Sequence, residues 1–305
     1  MLYQQITKNK RKTVILLAIF VIILAIIGAV SGKIFYNSPI EGIMWSIFAS
    51  VVYLLIGLAN PASMIMRMNH AIEIKEQDDP ELWHVVEDMA MVAQVPMPRV
   101  FIIEDDSPNA FATGKNPQNS CIAVTMGLRK MLTREELEGV IGHEISHIKN
   151  YDILVSTVAI VLVAVISFIG NLTCNVFLYF GNIFSDKDDD RNANWGWLIY
   201  LFMRIFSSLL VFSATLVQFA LSRNREYLAD AGSVELTRNP KGLISALTKI
   251  STSAPMTVAD KSSASLYFEN PFHKHGLTHL FDTHPTTKKR IERLEKNVIA
   301  HKFEF

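Results

Sequence analysis

Two histidines four residues apart flank a glutamate in "GVIGHEISHIKNYD", residues 139–152. On a helix, positions i and i+4 share a face, so His143 and His147 can each turn an imidazole nitrogen toward one zinc ion. Glu144 then stands beside the metal without being forced to ligate it, where the general base for an activated water belongs. The rival reading is a surface helix with two unremarkable histidines. A catalytic zinc takes three protein ligands and a water. The extended form of this motif wants glycine at 150 and histidine at 153, and the chain has Asn150 and Ile153. The third ligand therefore comes from elsewhere.

The residues before the motif supply its helix. Thr133 and Glu136 form a capping-box pattern that opens a helix through Gly139 and His143. Apolar residues resume at Ile153, so the helix is expected to continue into the run that follows. Upstream, "DDPELWHVVEDMAMVAQV" offers an aspartate cap, a first-turn proline, and Leu82, Val85, Val86 and Met89 at helical spacing. "RVFIIE" and "CIAVTMGL" read as short strands, separated by the turn-rich 105–120. Downstream, Leu243, Leu247 and Ile250 mark one helix and Ile291, Leu294 and Val298 another, while 251–280 lacks a period and reads as loop.

Half of the 305 residues are hydrophobic and the mean hydropathy is positive, which describes a membrane protein carrying soluble mass. Four runs, 14–30, 43–66, 153–180 and 195–221, approach the roughly 20 apolar residues that a spanning helix needs. The first has "KNKRK" before it and small residues near its end, as a signal peptide would. Its length and the second run close behind it instead describe a helical hairpin. Lys8, Lys10, Arg11 and Lys12 precede the first run, Arg67 and Lys75 follow the second, Arg129, Lys130, Arg134 and Lys149 precede the third, and Arg223 and Arg225 follow the fourth. The two intervening turns are poor in excess positive charge, so both termini and 67–152 are expected on the cytoplasmic side. Trp195 and Trp197 fit an interfacial belt on the other side, and Arg204 is a costly charge within the fourth run.

Charge is balanced at 29 basic against 29 acidic residues, which argues for no nucleic-acid partner. Cys121 and Cys174 have no metal-ligand spacing and are expected as free thiols. The expected organisation is a transmembrane hairpin at 1–66, a first half-domain at 67–152, a second hairpin at 153–221 and a second half-domain at 222–305. Each half-domain, at roughly 85 residues, is a meagre core alone; together they make a domain of ordinary size. A hairpin at 153–221 also returns the chain to the same membrane face where "SRNREYLAD" begins. Glu226 is the natural third ligand there, and Asp230, four residues on, can orient a ligand histidine through its other ring nitrogen. An ordinary helix ion pair between Glu226 and a neighbouring arginine fits the spacing equally well.

"HEISH", two apolar spans and then "SRNREYLADAGSVELT", together with "NAFATG" at 109–114 and "THP" at 283–285, resemble the HtpX family of bacterial membrane zinc metalloproteases, gluzincins related to the CAAX prenyl proteases. The match covers essentially the whole chain. The resemblance implies one zinc ion on His143, His147 and Glu226, catalysis by Glu144 and support from Asp230. It implies that "NAFATG" forms an edge strand along which a substrate peptide pairs, with Asn109, Ala110 and Phe111 as substrate-binding residues. It also brings His284 and Arg290 near the site, His284 as an oxyanion stabiliser or as a structural His-Pro turn. His273, His275 and His279 read as loop histidines, with an accessory metal as the alternative.

The expected fold class is α+β: a mainly helical integral membrane protein with four transmembrane helices and one cytoplasmic gluzincin-type domain with a small β-sheet. The implied activity is zinc endopeptidase action on misfolded membrane proteins and unfolded chains, from the bacterial plasma membrane, with the lipid bilayer as partner. An intramembrane protease would bury the motif within a span, whereas "TREELEG" and "KNYD" flank it here. A non-catalytic scaffold that keeps a zinc site would lack a ligand or the base. A transporter would line several spans with charge.

Overall fold

The computed structural model describes scattered positions between residues 7 and 33, and then residues 37–162, 223–259, 263–271 and 285–299. The chain divides into two compact units. One comprises Met1–Val14, Asn60–Val158 and Phe219–Phe305, the other Ile15–Ala59 and Ala159–Gln218.

In the second of these units, helix α1 (Pro39–Ala59) leaves Ile40, Met44, Trp45, Phe48 and Leu55 exposed. The expected span 43–66 is cut short at Asn60. The Asn60 side chain accepts from Ser63 N and Pro61 occupies the first turn of a new helix, α2 (Pro61–Met68), because proline cannot extend the preceding helix and asparagine caps the next. Ile65 and Met66, the end of the expected span, are buried in the first unit. Over the described side chains no single helix is long and apolar enough to cross a membrane. The runs 163–180 and 195–221, with Arg204, Trp195 and Trp197, lie outside the described residues, as does Cys174.

The first unit is built on a four-stranded mixed sheet of β1 (Ile72–Glu73), β2 (Arg99–Ile103), β3 (Ala110–Gly114) and β4 (Ser120–Thr125) in the order β1-β2-β4-β3. β2 and β4 run parallel; the outer pairings are antiparallel. "CIAVTMGL" is strand only as far as Thr125, whose side chain caps helix α4 (Met126–Met131) through Leu128 N. Helix α3 (Pro80–Ala93) starts on the Asp79 cap with Pro80 in its first turn, and its predicted face of Leu82, Val85, Val86 and Met89 is buried.

Helix α5 (Arg134–Lys149) carries the histidine motif and begins with the capping box of Thr133 and Glu136. It does not run on into the next apolar stretch. Asn150 ends it, Tyr151 takes φ 58°, and helix α6 (Asp152–Leu162) leaves at 81° to it. Helices α7 (Arg223–Thr237) and α8 (Pro240–Ser251) pack against α5, and α9 (Thr287–Ile299) follows. The described part of 251–280 holds one short 3-10 turn, Ala264–Leu266.

Leu243, Leu247, Val140, Ile141 and Ile122 join α3 in one apolar core. A Cβ on Gly139 would meet Leu243 N at 2.9 Å and Leu243 Cα at 3.0 Å. The obstacle is backbone, so neither helix can yield by turning a side chain. Gly139→Ala is expected to lower unfolding stability by about 1–3 kcal/mol, read by denaturant titration. An unchanged midpoint would show that α5 and α8 part freely.

Candidate active site

Helices α5 and α7 pack closely: a Cβ on Gly232 would sit 2.5 Å from Ser146 Oγ and 3.0 Å from Ser146 Cβ. Ser233 Oγ donates to the Gly139 carbonyl across the same seam. This approach brings His143, His147 and Glu226 together, one donor atom from each lying within 4.8 Å of the others. The two Nε2 atoms are 3.1 Å apart; His143 Nε2 is 3.7 Å and His147 Nε2 3.6 Å from the Glu226 carboxylate.

Those spacings fit a metal. Zinc bonds of about 2.0–2.2 Å in a tetrahedron set donors about 3.3–3.6 Å apart. Two imidazole nitrogens facing each other at this distance share either a proton or a metal ion, and with Nδ1–H bonded to a carboxylate on each ring both lone pairs are free for a metal. The donor set, two imidazoles and a carboxylate, is one that zinc takes in hydrolytic sites.

Each histidine is held from behind. His143 Nδ1 lies 3.0 Å from Asp230 Oδ1, and His147 Nδ1 lies 3.1 Å from Asp152 Oδ2. A carboxylate on Nδ1 fixes the N–H there and leaves the Nε2 lone pair for the metal. Asp230 is held in turn by Arg290, whose Nε and Nη2 donate to it at 3.0 and 2.6 Å while Nη1 donates to the Phe268 carbonyl at 3.0 Å. Arg290 is fully buried, with its guanidinium over the Phe268 ring.

The charges respond to this enclosure. Burial and the Arg290 charge act to lower the His143 pKa, but its bonds to Asp230 and Glu226 prevail and raise it to about 9. A metal ion binding there displaces a proton. Burial pushes Asp230 up, yet Arg290 and His143 hold it below the usual carboxylate range. Glu144 is raised, burial outweighing the facing histidines. A cavity of about 30 Å³, lined by Ala112, Glu144, His147, Asp152, Arg225 and Glu226, adjoins the triad. It has room for about one water.

Among the described strands β3, within "NAFATG", lies at the sheet edge, and its pairing sets which of its residues are open. Thr125 N donates to the Asn109 carbonyl. By strand alternation the ladder bonds therefore fall on Phe111 and Thr113, and the backbone groups of Ala110, Ala112 and Gly114 turn to the edge. The Ala110 carbonyl accepts from Phe268 N at 2.8 Å and Gly114 N donates to Thr157 Oγ1 at 3.1 Å. Asn109 is spent on the Glu269 backbone, donating to its carbonyl at 2.9 Å and accepting from its N–H at 3.2 Å. Phe111 is buried against Tyr267. Of the three residues turned outward, Ala112 lines the cavity.

Asp152 and Arg225 are therefore candidate site residues that sequence reasoning did not name, and Ala112 lies within the "NAFATG" strand without having been singled out there. The signal for Asp152 was an aspartate five residues beyond His147, which enters the site only because the chain turns at Tyr151. His284, His273, His275 and His279 lie outside the described residues.

The chain matches the profile of peptidase family M48 over residues 76–298. It is 60% identical to a Lactobacillus helveticus (strain DPC 4571) protein described as "Protease HtpX homolog", over 97% of this chain and 100% of that one. A protein of the same description from Ligilactobacillus salivarius (strain UCC118) is 54% identical, over 97% and 99% respectively. Among solved structures, Ste24p of S. mikatae is similar at 21% identity and a TM-score of 0.47, covering 96% of this chain and 67% of that one.

Proposed function

Because the chain belongs to peptidase family M48, with HtpX proteases among its relatives, we propose that it is a membrane-anchored zinc endopeptidase. The observation that carries this reading is the convergence of His143, His147 and Glu226, with the buried Glu144 in the cavity that His147 and Glu226 line. A zinc ion held by His143, His147 and Glu226 would supply Lewis acidity. Glu144 takes the proton of the attacking water as its oxygen adds to the carbonyl carbon, and then delivers the proton to the amine nitrogen as the C–N bond breaks. Its raised pKa suits both halves of that transfer. Asp230 and Asp152 keep the ligand histidines in the binding tautomer, and Arg290 keeps Asp230 ionised. The substrate main chain pairs along β3 at Ala112, so recognition reads backbone more than side chain, and His284 serves as the oxyanion donor.

The first unit works at the cytoplasmic face of the plasma membrane, held there by α1 and the apolar runs 14–30, 153–180 and 195–221. The exposed apolar side chains of α1 support contact with lipid. Its substrates are then unfolded chains and the cytoplasmic loops of damaged membrane proteins, a quality-control role.

The test uses the full-length protein in detergent with β-casein as an unfolded substrate. Cleavage is expected with one zinc per chain, to stop after 1,10-phenanthroline, and to return on adding zinc. Undiminished cleavage by protein stripped of metal would refute the reading.

A further inference from the structure

The two ligand histidines are backed alike, each by an aspartate and then an arginine, but the two arginines end differently. Arg290 has its donors committed to Asp230 and the Phe268 carbonyl. Arg225 approaches Asp152 only at 3.7 Å, beyond hydrogen-bond reach, with 13% of its side chain exposed. Its Nε and Nη1 are buried and have no hydrogen-bond partner among the described residues. Leaving charged donors buried and unsatisfied is costly, so such groups mark a place where an acceptor arrives. The acceptor's position is narrowly defined. Arg225 lines the cavity that also holds Glu144, His147 and the outward backbone of Ala112. That cavity admits about one water in the resting protein.

Resting on the protease reading above, we propose that Arg225 is a substrate-binding residue that donates to an oxygen of the peptide laid against Ala112. In the free enzyme the Asp152 carboxylate faces the guanidinium at 3.7 Å without hydrogen-bonding it; on binding, the peptide oxygen supplies the missing acceptor. The planar fork suits a carbonyl or a carboxylate, and both sources are separable by experiment. Asp152 meanwhile keeps Arg225 turned into the cavity while remaining bonded to His147.

The experiment compares wild type, Arg225→Gln and Arg225→Lys in the full-length protein. It measures zinc content, KM and kcat on β-casein, and the binding of fluorescein-labelled β-casein to the same variants carrying Glu144→Gln. Zinc content should stay at one per chain while KM and the dissociation constant rise about 10- to 100-fold in Arg225→Gln, with a smaller rise in Arg225→Lys. The same rise with β-casein whose carboxylates have been amidated assigns the main-chain carbonyl; a rise confined to unmodified casein assigns acidic side chains. Unchanged casein affinity would overturn the proposal, as would loss of zinc without loss of casein affinity, which would make Arg225 a positioning residue for His147. Loss of cleavage by wild type itself would instead count against the protease reading.

Discussion

Glu144→Gln is expected to bind zinc as the wild type does on the proposed reading, and not to cleave. The amide preserves the shape of the side chain and removes the one function that matters, taking up a proton. None of the three candidate metal donors is touched, since those atoms belong to His143, His147 and Glu226. General acid–base groups contribute about 10²- to 10⁴-fold, and here the same carboxylate serves both halves of the reaction, so the loss falls at or beyond the upper end. The measurement is kcat on β-casein beside zinc per chain. A variant that retained more than a tenth of wild-type kcat would remove Glu144 from its role.

Asp230→Asn is expected to injure both the fold and the metal site. Arg290 is fully buried and Asp230 carries two of its hydrogen bonds. Removing the carboxylate charge strands a guanidinium where water does not reach, at a cost of about 3–5 kcal/mol. It also weakens the grip on the His143 Nδ1 proton, for which a 10- to 100-fold loss of zinc affinity is expected. Denaturant titration and chelator competition separate the two effects. Adding Arg290→Met should restore much of the stability while leaving zinc affinity impaired. Unaltered zinc affinity in Asp230→Asn would mean that Asp230 serves Arg290 alone.

The histidine pair was legible in the sequence because it depends on helical spacing, whereas Glu226 fitted an ion pair equally well and was singled out by the family resemblance; the structure brings the three side chains together. His143 and His147 share a face by the i, i+4 rule, and Glu226 and Asp230 do the same on α7 once the two helices meet. The Thr133 capping box and the Asp79 cap were legible for the same reason, being local chemistry. What periodicity cannot carry is direction. The turn at Tyr151 sends α6 off at 81° and thereby puts Asp152 behind His147, yet the apolar run on either side reads as one continuous helix. The Asn60-Pro61 break is written plainly as a cap and a first-turn proline, but a long apolar stretch masks it. Strand parity was the third gap. Whether Ala110, Ala112 or Phe111 faces outward depends on the pairing of Asn109 with Thr125, which is set across the sheet and not along the strand.

The seam between α5 and α7 has a further meaning for the life of the molecule. His147 and Glu226 stand roughly 80 residues apart in the chain, and a clasp closing a loop of that length disfavours the unfolded ensemble by about 4–5 kcal/mol. With zinc held there, the metal is also a topological cross-link that ties the two sequence halves of one domain together. Loss of the ion would then do more than silence the enzyme. It would loosen the join between the halves and turn a protease into a partly open chain, the kind of molecule that proteases remove.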